Sequence, residues 1–408
     1  MSIKKITSGI MAVAMTMGIM YGSVFADEDG VLINEENFPD YHFRDYVASE
    51  FDDGDGILSD EEISSVKKIK SFEGHDITGI GYFVNLTYLD ASYHELEKID
   101  LSKNTALKEL YLEGCGLTEL DVSKNTALKI LDCSFNSLTK LDISKNTALT
   151  ELDCGCNKLS ALDVSKNTNL KRLDCQRNNL TKLDISKNTA LKELLCSYNN
   201  LTKLNVSNNT KLTFLTCGKN LIKSLDLSKN KKLTYLGCDN NKLTSLDVSK
   251  NKKLEVLSCS ENKIKKLTLN HIYLNQLYCW KNKLTKLDIS NCPRMVAAYT
   301  GGGKDTVEGT DRVFYALSKP NTIFMITKST KVITGKSKLK GWVNAKVSGL
   351  DNTTVKFYYS SGKPVKGWKK ISKKWYYFNK KTGVVTTGTK KIGKKTYKFD
   401  KNGVCKNP

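Results

Sequence analysis

From about residue 66 onward the apolar positions fall in a fixed pattern. Leu-x-x-Leu-x-Cys-x-x-Asn-x-Leu recurs every twenty-one residues. Leu128, Leu131, Cys133, Asn136 and Leu138 fill it once; Leu149, Leu152, Cys154, Asn157 and Leu159 fill it again. Alternate side chains of a strand share a face, so the second Leu and the Cys both point inward. One such unit cannot bury its own apolar face, and units must stack to make a continuous core. The pattern therefore predicts short strands, paired in parallel with their copies about 4.8 Å away. The Asn stands where the chain leaves the strand, where its amide can bond turn backbone that has no ladder partner. The second half of the unit repeats the logic, as Leu138, Leu141, Ile143 and Asn146 show. It lacks the ten or so periodic residues of a convex helix, so short extended segments are expected on both sides and few helices.

The strand-side slot runs from Ala91 and Leu112 through Cys133, Cys154 and Cys175 to Cys279. That is about ten units, well above the three or so a solenoid needs. One residue is missing near Asn270–Leu274. This spacing resembles the twenty-one-residue irregular class of bacterial leucine-rich repeats and, more loosely, the internalins of Gram-positive surfaces. The resemblance covers about Val66–Ile289.

The flanks read differently. Met1–Ala26 has Lys4 and Lys5, an apolar stretch over Ile6–Met20 and a Val24-Phe25-Ala26 cleavage site, the form of a secretion signal. A membrane anchor is the alternative, disfavoured by a short run broken by Thr, Ser and Gly. Residues 27–65 form a helical cap, with Phe43, Tyr46, Val47 and Phe51 at helical spacing. It holds Asp52-Asp53-Gly54-Asp55-Gly56-Ile57, which resembles an EF-hand or dockerin-type loop. Registered on Gly56, Asp53, Asp55, the Ile57 carbonyl and Glu62 fall on calcium-ligand positions, with Asp52 a substitute because Phe51 stands at the first. The other reading is a polar turn between capping helices. Residues 66–295 are the solenoid. Within 296–339, Ala297–Asp311 reads as a loop and Val313–Thr334 as strands that cover the solenoid's open end.

Residues 340–408 carry a second repeat. Gly367-Trp368 through Trp375-Tyr376-Tyr377-Phe378 is followed by Gly388-Thr389 through Thr396-Tyr397-Lys398-Phe399. These resemble the β-hairpin cell-wall-binding repeats of choline-binding and glucan-binding proteins. That resemblance implies aromatic walls for a quaternary ammonium from Trp368, Trp375 and Tyr377. Thr389 and Thr396 replace the Trp pair in the last copy. Lys-rich hairpins could instead hold teichoic acid phosphates or a glycan, or the rings could pack into one another as a stalk.

Composition sharpens the picture. The formal net charge is +21 over 408 residues. About twenty-five Lys and Arg against five acids lie after Gly303, so the tail carries nearly all the imbalance. On a secreted chain this points to anionic wall polymers rather than nucleic acid. Of twelve cysteines, eight occupy one inward slot where Leu or Ala also occurs. Buried free thiols are expected rather than bridges or a metal site, since in-register neighbours are poorly placed for the disulfide dihedral.

The exposed positions beside the strand Leu are the candidate partner face. Asp132, Asp153, Asp174 and Arg172 mark its first half, and Phe214, Tyr235, Tyr278 and Trp280 its second. On the other side Asp121, Asp142, Asp163 and Asp184 recur with Lys124, Lys145, Lys166 and Lys187, read as turn chemistry plus exposed ion pairs. No nucleophile, zinc, P-loop or dinucleotide pattern occurs, so no catalytic residue and no required cofactor are expected. The expectation is a mainly β, monomeric, secreted adhesin or recognition protein. The solenoid would bind a protein or glycan and the tail would hold it on the wall. The alternative is an accessory polysaccharide-capture protein with its main ligand site in the tail.

Overall fold

The computed structural model describes residues 30–408 apart from 71, 97, 302, 307–309, 318–321, 335–340, 347–353, 361–362 and 381–383. The leader assigned to residues 1–26 lies outside the described residues. The chain is mainly β. Three-residue strands, such as Ile130–Asp132, Glu151–Asp153 and Arg172–Asp174, pair in parallel and in register through a sheet that has fourteen strands among the described residues. The central Leu of each strand and the following Cys are fully buried, as Leu131, Cys133, Leu152 and Cys154 show.

Two asparagine ladders tie successive turns together. Asn157 donates through Nδ2 to the Cys133 carbonyl of the previous repeat (2.9 Å), and its Oδ1 accepts the Leu138 N–H (2.9 Å). The second ladder runs on the opposite side, where Asn146 Nδ2 donates to the Val122 and Asn125 carbonyls, both at 2.9 Å. Its Oδ1 is buried without a partner, as are those of Asn125 and Asn167. Each of these side chains thus supplies the donors that a buried turn carbonyl requires.

The second side is less regular than the repeat of Leu-x-x-Leu suggests. Extended pairing there is confined, among the described residues, to Ser245–Asp247 with Lys266–Thr268 and Lys286–Asp288 with Lys331–Ile333. Earlier repeats make turns held by the Asp column. Asp121 and Asp163 accept the N–H of Ser123 and Ser165 at 2.8 Å. No Asp–Lys pair of this column closes to an ion-pair distance among the described residues, though Lys124 and Lys166, after the turn hydrogen bonds, help hold Asp121 and Asp163 below the usual carboxylate range. At the missing residue, His271 turns fully inward, and its Nδ1 accepts the Asn270 N–H (3.0 Å).

Both ends of the sheet are closed. At the N-terminal end, helices Tyr41–Phe51 and Asp60–Ser65 bury Phe43, Val47 and Ile63 against the first repeats. At the other end the loop expected over Ala297–Asp311 is corrected. Pro293–Gly301 is a helix, with Met295, Val296 and Ala298 buried, and Gly303–Thr306 is a strand. Pro at the first helical position and the apolar Met-Val-Ala-Ala run explain it. Strand Thr322–Thr327 adds in parallel to Gln276–Tyr278 and is itself covered by Arg312–Leu317. The tail holds an antiparallel pair, Gly341–Lys346 with Thr354–Ser360, and then two hairpins, Gly367–Ile371 with Lys374–Phe378 and Gly388–Ile392 with Lys395–Phe399.

All twelve cysteines are free, and eleven are buried; Cys156 is half-buried. Several thiols point to backbone carbonyls, Cys154 Sγ reaching that of Asp174 at 3.5 Å and Cys196 Sγ that of Thr216 at 3.4 Å. Burial pushes the Cys217 and Cys279 thiols up to about 12, so the thiolate is suppressed.

Candidate functional site

The strand face is lined by the residues that flank each buried Leu and by two further columns at its edge. The outermost column was not foreseen. Phe135, Cys156, Arg177, Tyr198, Lys219, Asn240, Glu261 and Lys281 all have φ between 49° and 58°. A non-glycine residue there costs roughly 1–2 kcal/mol. Stacking over-determines it: the Tyr198 N–H donates to the Gly218 carbonyl (2.9 Å) and the Lys219 N–H to that of Asp239 (2.8 Å). The only sequence signal was the fixed place of these residues just before the Asn. The result is a row of side chains held at the rim, with Tyr198 between Arg177 (4.4 Å) and Lys219 (4.6 Å).

In the first half of the face, Arg172 gathers three carboxylates: Asp174 at 3.3 Å, Asp153 at 3.6 Å and Glu193 at 3.8 Å. Asp174 was expected to be exposed, and this is corrected: it is 2% exposed, covered by Arg172 and Gln176. Burial, then the charges of Asp174 and Asp132, raises Asp153 to about 7, against the pull of the Gly155 N–H and Arg172. Asp132 instead holds the Ser134 hydroxyl (2.7 Å).

The second half is aromatic. Phe214 and Tyr235 stack at 4.4 Å between centroids, 15° from parallel. Next to them Tyr235, Tyr278 and Trp280 border a groove of about 420 Å³, with Ser258 and Ser260 at its floor and Asp239, Asn240 and Glu261 along its rim. Arg312, from the strand that covers the end of the sheet, lies 3.4 Å over the Trp280 ring. The structure thus brings Tyr235, Tyr278 and Trp280 together. It leaves Asp132, Asp153 and Asp174 as a separate acidic patch several strands away.

The loop of the N-terminal cap is also rearranged relative to expectation. Glu62 caps the second helix: its carboxylate accepts from the N–H of Asp53 and Ser59 (both 2.8 Å) and from the Ser59 hydroxyl (2.7 Å). The carboxylates that lie within 4.8 Å of one another are those of Asp52, Asp53 and Asp55. Ile57 enters the strand that pairs with Val31–Leu32.

In the tail, Trp368 packs against Tyr377 (5.3 Å) and Trp375 (6.3 Å). Tyr397 (4.8 Å) and Phe399 (5.9 Å) of the next hairpin close on it as well. These two were not assigned, although they stand where Tyr376 and Phe378 stand in the first hairpin.

Known proteins match this geometry. A leucine-rich-repeat model of two copies matches residues 126–167. No curated protein sequence matches the chain. The functional domain of InlJ from Listeria monocytogenes, which includes a cysteine ladder, is similar at 24% identity with a TM-score of 0.50. That match covers 76% of this chain and 100% of that one. An internalin, InlF, from the same organism is similar at 22% identity with a TM-score of 0.55, covering 65% of this chain and 83% of that one. Among the described residues no helix is long and apolar enough to cross a membrane. At these identities the likeness speaks for the fold, and with the matched repeats it makes this chain a leucine-rich-repeat solenoid of internalin-like form.

Proposed function

We propose that the chain is a secreted, wall-associated adhesin or recognition protein that binds a protein or glycan through the strand face of its solenoid, without catalysing a reaction. The observation that carries the reading is the aromatic groove of Tyr235, Tyr278 and Trp280, held open on a rigid sheet between a stacked Phe214 and a covering Arg312. Interaction surfaces favour such fixed aromatic anchors, because little side-chain freedom is lost on binding. The internalin-like fold supports a recognition role.

The basic tail would supply retention. Its rings pack around Trp368, which suits a stiff spacer studded with lysines that meets an anionic wall polymer by charge. The packing of Tyr397 and Phe399 on Trp368 weighs against a tail cage as the main ligand site.

The test compares the full chain with a Phe214→Ala/Tyr235→Ala/Trp280→Ala variant on an array of host surface proteins and glycans. Loss of the bound features in the variant is expected. Retention of them places binding elsewhere. Fractionation of cells that express the chain with and without residues 340–408 tests retention: the shortened form should move from the wall to the medium.

A further inference from the structure

We infer that the groove between Tyr235, Tyr278 and Trp280 is a subsite for a neutral sugar ring, one hexose or N-acetylhexosamine unit of a larger glycan. The inference deepens the reading above and rests on the strand face being the binding face.

Three observations lead there. The first is the shape and chemistry of the groove. Tyr235 and Tyr278 offer apolar ring surface to the C–H side of a pyranose ring, beside a Trp280 ring that carries Arg312 and Lys281, and the volume of about 420 Å³ is at the small end of ligand pockets. Tyr235 is fixed by its stack on Phe214 and Trp280 by Arg312, so the platform exists before the ligand arrives.

The second is a pair of polar groups without partners. Ser260 is 3% exposed, lines the groove, and its Oγ has no hydrogen-bond partner among the described residues. Arg312 Nε, over the Trp280 ring, is likewise buried without one but lies outside the groove lining. Buried polar groups are ordinarily satisfied, and a Ser260 hydroxyl that rotates toward the groove would meet a ligand atom that both donates and accepts. A sugar hydroxyl does both.

The third is charge. Asp239 and Glu261 stand on the rim with Lys219, and Lys281 binds Glu261 at 3.4 Å. Lys281 (5.0 Å) and Arg312 (3.4 Å) already occupy the cation–π positions on Trp280. An incoming ammonium would meet these cations, and an incoming anion the two carboxylates. A neutral polyhydroxylated ring meets neither penalty. It gains acceptors from Asp239 and Glu261 and a donor from Asn240, whose amide now leans on Glu261 at 3.2 Å.

The groove can be closed without disturbing the core. Ser258 lies in the column that holds Leu195 and Tyr278, so Ser258→Leu fills the floor with a side chain the column accepts.

The experiment is saturation-transfer NMR and calorimetry of the full chain with chitotriose, cellotriose and lactose, and with choline as a cationic probe. At least one sugar should bind with a dissociation constant on the order of 1 mM. Trp280→Ala and Ser258→Leu should weaken it roughly tenfold or more. Thermal unfolding of each variant confirms the fold, and Asp239→Asn, at the rim, gives a second readout should either unfold. Binding of none of the sugars, binding of choline in their place, or sugar binding unchanged in Ser258→Leu overturns the assignment. If the sugars fail while array contacts still depend on Phe214 and Tyr235, only the sugar assignment falls. If the sugars fail and the array contacts persist in the Phe214→Ala/Tyr235→Ala/Trp280→Ala variant, the face itself is not the binding surface.

Discussion

Asp153 and His271 sit at opposite ends of one pH argument. Asp153 is raised to about 7 from 3.8, so the folded state binds its proton more tightly than the unfolded chain. Its contribution is complete below about 4 and is lost as pH rises through 7. Burial lowers His271 from 6.5 to about 4. Its contribution is complete above 6.5 and is lost as pH falls through 4. The two slopes oppose each other between those limits. Asp153→Asn should therefore stabilise the chain at pH 8 and leave it little changed at pH 4.5, while His271→Gln should flatten the acid side. Melting temperatures measured across this range check both. At the rim, Lys219 has φ 49°. A β-branched residue is a poor fit there, and Lys219→Val should cost about 1–2 kcal/mol while Lys219→Gly costs little, as urea unfolding would show. Native protein at pH 8 should yield one fast-reacting thiol to a disulfide reagent, Cys156, with the other eleven appearing only in denaturant.

At the scale of elements, the strand and the turn do separate work. The strand supplies three ladder residues, too few to hold alone; backbone bonds just beyond it, such as Cys154 N–H to the Asp174 carbonyl (2.9 Å), and the two asparagine ladders extend the pairing. Asn188→Ala removes donors to the Val164 and Asn167 carbonyls, both 2.9 Å away, and leaves them buried. It should cost about 1–3 kcal/mol by chemical unfolding. The end caps have another role. Strand Thr322–Thr327 satisfies the edge left by Gln276–Tyr278, and helix Pro293–Gly301 packs nearby with Met295 and Ala298 buried. A chain that stops at Cys292 exposes that edge, and light scattering should show association that the full chain lacks.

For the whole molecule, charge and shape divide between two regions. The solenoid carries mixed charge on a rigid surface, whereas the tail concentrates Lys on short hairpins. Retention through such a tail should weaken as ionic strength rises past the screening range, and co-sedimentation with purified walls between about 0.05 and 0.5 M salt measures it. Sugar binding in the groove, by contrast, should be nearly indifferent to salt.

The period, the inward Leu and Cys and the Asn slots were legible because each is a local rule repeated ten or so times, and only stacking satisfies all of them at once. The aromatic positions of the face were legible for the same reason: a known strand phase assigns every flanking residue to a side. Depth and neighbours were not. Asp174 is buried because Arg172 and Gln176 lie over it; the Ser59-x-x-Glu62 capping box, by contrast, is a local motif that the calcium-loop register passed over. The left-handed column and the rings that close on Trp368 depend on partners distant in the chain, whereas the helix after Pro293 carries a local signal in its Pro and its Met-Val-Ala-Ala run. The sequence alone determined that this chain stacks and which residues each turn offers to the outside. Only the tertiary structure decided which of them meet, because contact across repeats and caps is set by three-dimensional packing and not by spacing along the chain.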